Sequence, residues 1–585
     1  MLRSVPIVFL LVFLAGICCE NLKLVLLHNN DMHSRFEETS KNTGTCKESN
    51  KNLSCYGGFP RTAHVIRDFR SKAAKGEVPE VLYLNAGDTY AGTVWYSVHK
   101  WKICVDFLNV LKPDAMSLGN HEFDSSPDGL EPFLEEARFP VLAANLNFTN
   151  EPSLVNLVKK SVVLEVKGTK VGVIGFLTPE TIQISQTRAV IFSSEINSLI
   201  EESERLDKQG VKVIIALGHS GFTVDQEIAA KVPLVDVVVG GHTNTFLWNG
   251  KAPDLETPED MYPKVVTQKS GKKVPVVQAY AYTKYMGVLN VTFNDQGDLV
   301  EFYGQPILLD HTIPQDKDVL DMLEPYRVRV AELSKQVIGK TKVLLDGDAN
   351  RCRMEECNFG NLLADSLVQY VASLTGGKFW TKVPIGLVNG GGIRNSIDPA
   401  VANGNITRAD VMGALPFDNR IITLEIMGDD LLQVLEQGAR FDGISSRGEF
   451  LQVSGLKYTV DWSKPPMHRI SNVKARCGNC WIPRYLDLDP KETYNVVSIS
   501  FLTEGGDGHT ILKTKSFNQK TEDLNDVDIV QWYLEKYSPV YPEVQGRITI
   551  VGSVILNSSP ALSCSMVLIW IVFIISKLVF KYNFT

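Results

Sequence analysis

The chain has 585 residues, too many for one hydrophobic core, so at least two domains are expected. Hydrophobic residues make up 44% and charged residues 22%, ordinary values for globular proteins that exclude a mainly disordered or fibrous chain. The formal net charge of -8 offers no basic footprint, so no nucleic acid partner is expected. Any anionic substrate must be bound by local cations or by metal ions.

The N-terminus is typical of a secretory signal peptide. Arg3 precedes an apolar run over residues 5–17, which is short for a membrane span. We therefore expect residues 1–20 to be removed, and the mature chain to begin in an oxidising compartment. Between the two terminal segments, four Asn-x-Ser/Thr tripeptides fit a glycosylated surface protein, and they begin at Asn52, Asn147, Asn290 and Asn405.

Cysteine usage agrees with export. Three close pairs remain once the cysteines of the two terminal segments are set aside: Cys46 with Cys55, Cys352 with Cys357, and Cys477 with Cys480. The last pair could be half a zinc knuckle, but no second Cys-x-x-Cys exists to complete it. We predict three disulfides, which leave Cys104 unpaired.

Residues 22–300 alternate short apolar runs with longer amphipathic stretches, which indicates an α/β layered domain. Five of the apolar runs are each followed by residues that can bind metal or move protons. They are Leu22–Leu27 before Asp31 and His33, Val81–Leu84 before Asp88, Ala115–Leu118 before Asn120 and His121, Val211–Leu217 before His219, and Val235–Val239 before His242. Functional groups gather at the carboxyl ends of strands in open α/β sheets, so these five ends are expected to converge.

The stretch Gly119–Asp124 alone could be a polar turn whose Asn and Asp bond to the local backbone. Four of the chain's 10 histidines, however, lie at such strand ends, and this clustering favours a metal site. A set of Asp, His and Asn ligands suits zinc, manganese or iron better than calcium. Two ligand sets that share one carboxylate would form a dinuclear centre suited to phosphoryl transfer.

The composition changes after Tyr303. Residues 313–338 form a charged, helical segment that we predict to be an interdomain linker and hinge. Residues 339–551 are predicted to form a second α/β domain. Residues 552–585 contain the small residues Asn557, Ser558 and Ser559 before an apolar tail, which predicts a GPI-attachment signal, with a single transmembrane helix as the alternative.

Taken in order, the motifs Asp-x-His, Gly-Asp, Gly-Asn-His-Glu-x-Asp and two Gly-His pairs resemble those of the calcineurin-like metallophosphoesterase superfamily. In the second half, residues 352–361, 389–394, 415–417 and 501–508 look like the C-terminal domain of the ecto-5'-nucleotidase family. The resemblance implies an α/β fold (α+β overall) with a four-layer sandwich domain over residues 21–312. A helical linker would join it to the α/β substrate-binding domain.

The resemblance also implies roles for individual residues. Asp31 and His33 would hold one metal ion, Asp88 would bridge, and Asn120, His219 and His242 would hold the other. His121 and Asp124 would form the catalytic dyad, whereas no chemical role is expected for Glu122 and a structural one is favoured. The substrate residues would be Asn244, Arg353, Asn389, Arg394 and Asp507 for phosphate and ribose, with Phe417 and Phe501 on either side of the purine.

The expected activity is extracellular hydrolysis of nucleoside 5'-monophosphates, AMP preferred, to nucleoside and phosphate by a dimetal-activated water. Two divalent metal ions are the implied cofactors, with zinc expected. An apyrase acting on ATP and ADP is the first alternative, and a catalytically inactive surface or adhesion protein is the second. The resemblance further implies a GPI-anchored protein on the extracellular face of the plasma membrane, or a secreted one, and a homodimer formed through the C-terminal domain.

Overall fold

A computed structural model describes residues 21–41, 44, 46, 54–400, 402–441 and 448–553 of the chain. The predicted signal peptide, the tripeptide at Asn52 and the attachment site at Asn557, Ser558 and Ser559 lie outside these residues. Within them, none of the helices is both long enough and apolar enough to cross a membrane.

The strands follow one another along the chain as β1 Leu22–Asn29, β2 Thr39–Ser40, β3 Cys55–Tyr56, β4 Glu80–Asn85, β5 Ala115–Ser117, β6 Val141–Leu142, β7 Leu146–Asn147, β8 Ser161–Val166, β9 Thr169–Leu177, β10 Ile191–Phe192, β11 Val213–His219, β12 Val237–Val239, β13 Lys264–Thr267, β14 Lys273–Val277, β15 Tyr285–Phe293, β16 Leu299–Gly304, β17 Ile307–Leu308, β18 Val337–Lys340, β19 Ile385–Asn389, β20 Asn405–Thr407, β21 Arg420–Met427, β22 Leu451–Ser454, β23 Leu456–Asp461, β24 Ile470–Arg476, β25 Tyr485–Asp487, β26 Thr493–Ile499, β27 Phe517–Asn525 and β28 Ile548–Val551.

The α-helices are α1 Phe59–Ala74, α2 Val94–Leu111, α3 Ser126–Glu136, α4 Thr181–Ile184, α5 Glu195–Lys208, α6 Phe222–Lys231, α7 Lys317–Lys335, α8 Ala349–Cys352, α9 Asn358–Leu374, α10 Arg408–Ala414, α11 Gly428–Gly438, α12 Ser500–Thr503, α13 Thr510–Lys515 and α14 Asp526–Tyr537. Short 3-10 helices cover His121–Phe123, Pro152–Leu154, Gly390–Gly392 and Gly506–Gly508. The helix α5 begins after Ser194, whose side chain accepts a hydrogen bond from the backbone N–H of Asn197.

The chain divides into two compact units. Unit 1 comprises the described residues within 21–339 and 397–417, and unit 2 comprises the described residues within 340–396 and 418–553. The predicted range of the second domain, residues 339–551, includes residues 397–417, whereas unit 2 does not. They group with unit 1 because α10 packs on α2 and α7, with Val411 and Ala414 buried.

Unit 1 has four layers. A seven-stranded sheet has the order β16-β15-β1-β4-β5-β6, with β17 beside β15, and a six-stranded sheet has the order β13-β14-β12-β11-β9-β8. The helices α1, α2, α3 and α7 cover the outer face of the first sheet, and α5 and α6 cover that of the second. The predicted sandwich of helices, two sheets and helices is therefore confirmed for this unit.

Alternation along β1 explains why the two sheets stack. Leu24 and Leu26 point into the core between the sheets, whereas Val25 and Leu27 point into the core beneath the helices. A strand with apolar residues on both faces must be covered on both sides. The strand neighbours β1, β4, β5 and β6 are parallel, so their carboxyl ends meet at one edge.

The predicted linker segment is an ordered part of unit 1. The helix α7 begins after Asp316, whose carboxylate accepts a hydrogen bond from Arg67 at 2.8 Å. Further along, the backbone oxygen of Tyr326 lies 2.9 Å from Nε2 of His99 on α2. A hinge within residues 313–338 stays a prediction.

Unit 2 is also of α/β type. Its five-stranded sheet has the order β22-β19-β26-β21-β27, and a four-stranded sheet has the order β25-β24-β23-β28. The helix α9 packs on β19 and β22, and α14 packs on α9.

The three predicted disulfides, Cys46–Cys55, Cys352–Cys357 and Cys477–Cys480, are present, and Cys104 is the buried free cysteine of the described part of the chain.

Candidate metal centre

The strand ends predicted from the sequence converge in unit 1. Three of these ends belong to β1, β4 and β5, which are parallel strands of the seven-stranded sheet. The other two belong to β11 and β12, which are parallel neighbours in the six-stranded sheet. Two groups of possible ligand atoms result, each within 4.8 Å: His33 with Asp88 and His121, and Asp88 with His219 and His242. Because both groups contain Asp88, they share one carboxylate.

Asp88 lies at the centre of this arrangement. Its Oδ2 is 2.9 Å from Nε2 of His219 and 3.9 Å from Nε2 of His121. Its Oδ1 accepts a hydrogen bond from the backbone N–H of His121 at 2.9 Å. A carboxylate with one oxygen fixed by the backbone and the other facing imidazoles can serve two cations at once.

The remaining predicted ligands surround Asp88. Oδ1 of Asp31 lies 3.7 Å from Nε2 of His33 and 3.8 Å from Nε2 of His219. Its Oδ2 accepts a hydrogen bond from the backbone N–H of His242 at 2.9 Å. Oδ1 of Asn120 is 2.9 Å from Nδ1 of His242, so these two donor atoms face the same place.

The histidine orientations fit a metal site. Nδ1 of His219 lies 2.7 Å from the backbone oxygen of Ala86, and Nδ1 of His33 lies 3.3 Å from that of Tyr90. A carbonyl oxygen only accepts, so each Nδ1 donates and each Nε2 is the ring atom that remains to bind a cation, as in most metal-binding imidazoles. Nε2 of His219 is buried and, despite its 2.9 Å distance from Asp88, forms no well-aligned hydrogen bond with any described residue. These donors therefore fit divalent cations.

The charges of the cluster also favour the binding of cations. Burial raises the pKa of Asp31 to about 6. Burial acts in the same direction on Asp88, but the imidazoles of His219, His121 and His33 outweigh it and hold the pKa of Asp88 well below its usual range. Burial alone would lower the pKa of His219, yet Asp88 and Asp31 raise it to about 10. Bound cations would replace the protons that this buried cluster otherwise retains.

The backbone at the site is unusual. Left-handed φ angles occur at Asp31 (50°), His33 (45°), Asp88 (55°) and His242 (80°), although none is a glycine. Such conformations cost energy and cluster at functional sites, where the surrounding structure enforces them. Gly119 allows the close approach, because a Cβ there would lie 2.2 Å from Oδ1 of Asp88.

The side chains of the predicted dyad, His121 and Asp124, are in contact. Nδ1 of His121 lies 2.7 Å from Oδ2 of Asp124, which leaves Nε2 facing Asp88. The ring of Phe417 stacks on the ring of His121, with centroids 5.9 Å apart and an interplanar angle of 21°. The sequence placed Phe417 on a purine and gave no sign of this contact.

Glu122 is the main feature that the sequence left without a chemical role. Its buried carboxylate accepts hydrogen bonds from four backbone N–H groups: Gly119 at 2.7 Å, Thr89 at 2.8 Å, Asp88 at 3.0 Å and Tyr90 at 3.3 Å. The expected structural role is confirmed, and its nature is now clear. Glu122 joins the loop after β4 to the loop after β5 and fixes the backbone of Asp88.

The predicted substrate residues fall into both units. Asn244 belongs to unit 1; its Nδ2 lies 3.5 Å from the hydroxyl oxygen of Tyr282, and its buried Oδ1 has no hydrogen-bond partner in the described part. In unit 2, Nδ2 of Asn389 donates to Oδ2 of Asp507 at 2.6 Å.

The rest of the unit 2 set lies around that pair. Arg353 and Arg394 lie close enough to act electrostatically on Asp507, as does Arg440, which the sequence did not single out. Arg440 donates to the backbone oxygen of Asp507 at 3.0 Å. The ring of Phe501 lies against Gly506, where a Cβ would come within 2.6 Å of it. The two-sided purine site remains a prediction.

Known proteins resemble most of the chain. Residues 24–246 match the family model described as calcineurin-like phosphoesterase, and residues 337–514 match that described as 5'-nucleotidase, C-terminal domain. Protein 5NUC of Lutzomyia longipalpis is 45% identical over 91% of this chain and 93% of its own length. The 5'-nucleotidase of Homo sapiens is 40% identical over 90% of each chain.

A solved structure agrees with these relatives. The crystal structure of a 5'-nucleotidase precursor from Thermus thermophilus is 33% identical, with a TM-score of 0.82 over 91% of this chain and 100% of that chain. The family implies divalent metal ions, which the donor set described above can accommodate. The chain belongs to the 5'-nucleotidase family of metal-dependent phosphoester hydrolases.

Proposed function

We propose that the protein hydrolyses nucleoside 5'-monophosphates, with AMP preferred, to a nucleoside and phosphate outside the cell. The observation that carries this proposal is the sharing of Asp88 between two ligand groups, beside a His121–Asp124 pair. The named 5'-nucleotidase relatives support the nucleotide as substrate.

Two divalent cations, with zinc the expected ion, are the proposed cofactors. Asp31, His33 and Asp88 would hold one ion, and Asp88 with Asn120, His219 and His242 would hold the other. When bound, the ions would neutralise phosphate charge and activate a water molecule. The protein's own contribution is to fix the donors, which it does through the backbone contacts of Asp31, Asp88 and His219.

His121 is the proposed group that stabilises the transferring phosphoryl group. Asp124 holds Nδ1 of the ring at 2.7 Å, so the imidazole can present an N–H at Nε2 to a phosphoryl oxygen. The carboxylate partner fixes the orientation of the ring, so a donor at Nε2 would face the negative charge that develops on the phosphoryl group. Removing the imidazole would then cost roughly two to four orders of magnitude in turnover.

Further polar and aromatic residues are proposed to bind the nucleotide. Asn244, Arg353, Asn389 and Arg394 are proposed for phosphate and ribose contacts, with Asp507 accepting from the ribose hydroxyls. Unpartnered amide oxygens at Asn244 and Asn389 support this assignment, because buried polar atoms without partners are costly unless a ligand satisfies them. Phe417 and Phe501 are proposed to stack on the base.

An extracellular location is supported by the three disulfides and by secreted venom relatives. We further propose that a GPI anchor at Asn557, Ser558 or Ser559 holds the mature protein at the outer face of the plasma membrane, and that two copies associate. Release of the protein from cells by a phosphatidylinositol-specific phospholipase tests the anchor. Retention after that treatment would favour a transmembrane helix instead.

The protein released by the phospholipase is then assayed to identify its substrate. Phosphate release from AMP, ADP and ATP is compared at equal concentration, with and without removal of metal by a chelator. We expect fastest release from AMP, loss after chelation and recovery with zinc. Faster release from ATP or ADP would indicate an apyrase, and no release from any of the three would indicate an inactive surface protein.

A further inference from the structure

Both carboxylate oxygens of Asp124 have a side-chain partner. Oδ2 faces Nδ1 of His121 at 2.7 Å, and Oδ1 accepts a hydrogen bond from the hydroxyl of Ser185 at 2.9 Å. Ser185 lies 61 residues further along the chain than Asp124. The three side chains therefore form a continuous series from the hydroxyl to the imidazole.

Ser185 is placed by a sixth strand end that the sequence did not single out. The strand β9 ends at Leu177, next to β11, and the backbone N–H of Thr178 donates to the backbone oxygen of His219 at 3.0 Å. The short helix α4 follows, and Ser185 ends it with its backbone N–H bonded to the oxygen of Thr181 at 3.0 Å. These backbone contacts fix the position of Ser185, and thereby of its hydroxyl, at the edge of the metal centre.

The segment that follows is attached to the same part of unit 1. Arg188 donates to both carboxylate oxygens of Asp128 and to the hydroxyl of Ser126. These contacts are exposed and lie at the beginning of α3, just after Asp124. They give the segment a second attachment that does not involve the dyad.

We infer that Ser185 is a positioning residue, whose hydroxyl orients the Asp124 carboxylate so that Asp124 holds the imidazole of His121 towards the substrate phosphate. This inference rests on the proposed roles of His121 and Asp124. A carboxylate with one fixed oxygen cannot rotate about its Cβ–Cγ bond without losing a hydrogen bond, so Oδ2 stays aligned with Nδ1. Misplaced catalytic groups lose rate even when binding is unchanged.

The test uses the full-length enzyme with the single variants Ser185→Ala, Ser185→Thr and Asp124→Ala, and the double variant Ser185→Ala/Asp124→Ala. Loss of one hydrogen bond to a partly exposed carboxylate should lower kcat by roughly 3- to 20-fold in Ser185→Ala. KM for AMP should stay within about twofold, because Ser185 is not expected to touch substrate. Ser185→Thr keeps the hydroxyl and should retain most of the wild-type kcat.

The double variant separates positioning from a general loss of stability. If Ser185 acts through Asp124, removing its hydroxyl should change nothing further in the Asp124→Ala background. Arg188→Ala is the matched control, since it weakens the attachment of the same segment without touching Asp124, and its kcat should equal the wild-type value. Equal melting temperatures for Ser185→Ala and wild type would confirm that the fold is intact.

Two results would overturn the inference: a wild-type kcat in Ser185→Ala, or equal losses of kcat on removing Ser185 with and without Asp124. The same ratios are measured with p-nitrophenyl phosphate, which has no nucleoside. Hydrolysis of this ester without hydrolysis of AMP would contradict the proposed substrate, and the role of Ser185 would then be read from the ester.

Discussion

Oε2 of Glu122 accepts a hydrogen bond from the backbone N–H of Asp88 at 3.0 Å, and this contact sets the position of the carboxylate shared by both ligand groups. In Glu122→Gln the amide can no longer accept at all four N–H groups, because its NH2 must face some of them. We expect metal retention to fall by about 10- to 100-fold, as for other residues that orient metal ligands. Metal content after dialysis against graded chelator measures it.

Glu135→Gln is the matched control for this prediction, because it makes the same charge change at an exposed position on α3. Its metal content should equal that of the wild type. A Glu122→Gln protein that retained its metal ions as firmly as the wild type would show that the Asp88 backbone needs no such support.

The stacking of Phe417 on His121 leads to a second prediction. Phe417→Ala should raise KM for AMP by about 5- to 160-fold, because a stacked base is worth about 1 to 3 kcal/mol. It should also lower kcat for p-nitrophenyl phosphate, which carries no base, because the ring no longer packs on the imidazole. Steady-state kinetics with both substrates separates the two effects.

Phe501→Ala is the comparison for Phe417→Ala, since the ring of Phe501 lies against Gly506 of unit 2. It should weaken AMP binding and leave p-nitrophenyl phosphate hydrolysis unaffected. If Phe417→Ala also left hydrolysis of the simple ester unchanged, the contact with His121 would have no catalytic meaning.

Much of the metal centre could be predicted because its signal is local. An apolar strand followed at once by Asp, Asn or His is visible in the sequence, and parallel strands bring such ends together. This pattern connected Asp31 with His242, which are 211 residues apart and joined by a hydrogen bond in the structure.

What the sequence could not provide were contacts that depend on side-chain direction. Nothing local to Ser185 indicates that its hydroxyl reaches Asp124, and nothing local to Glu122 indicates four backbone donors. The sequence likewise could not show that Phe417 groups with unit 1. This grouping follows from the packing of α10 on α2 and α7, which involves elements far apart in the chain; Oγ of Ser97, for example, donates to the backbone oxygen of Met412 across 315 residues.

The pH dependence of stability should reveal Asp526, at the beginning of α14. Burial raises the pKa of this carboxyl to about 7, whereas in the unfolded chain it titrates at about 3.9. Between these values the folded state binds more protons than the unfolded state, so stability falls as pH rises through this window. Asp526→Asn removes the titration, and its melting temperature relative to wild type should rise from pH 5 to pH 8.

Asp523→Asn removes an exposed carboxyl on the neighbouring strand β27 and gives the effect of charge alone. The difference between the two variants then reports the buried group. A melting-temperature difference for Asp526→Asn that stayed constant from pH 5 to pH 8 would mean that this carboxyl does not take up a proton on folding.

Lys284 is a deeply buried cation for which the structure shows two carboxylate partners. Its side chain is 1% exposed, and Nζ binds Asp254 at 2.6 Å and also Glu256. Lys284→Ala leaves both carboxylates without their cation, so we expect the free energy of unfolding to fall by about 3 to 5 kcal/mol. Denaturant titration measures this free energy.

Adding Asp254→Asn and Glu256→Gln to Lys284→Ala should restore a large part of the lost stability, because the cost comes from unpaired charge and not from the missing side chain. If the triple variant were no more stable than Lys284→Ala, packing of the lysine stem would be the dominant contribution.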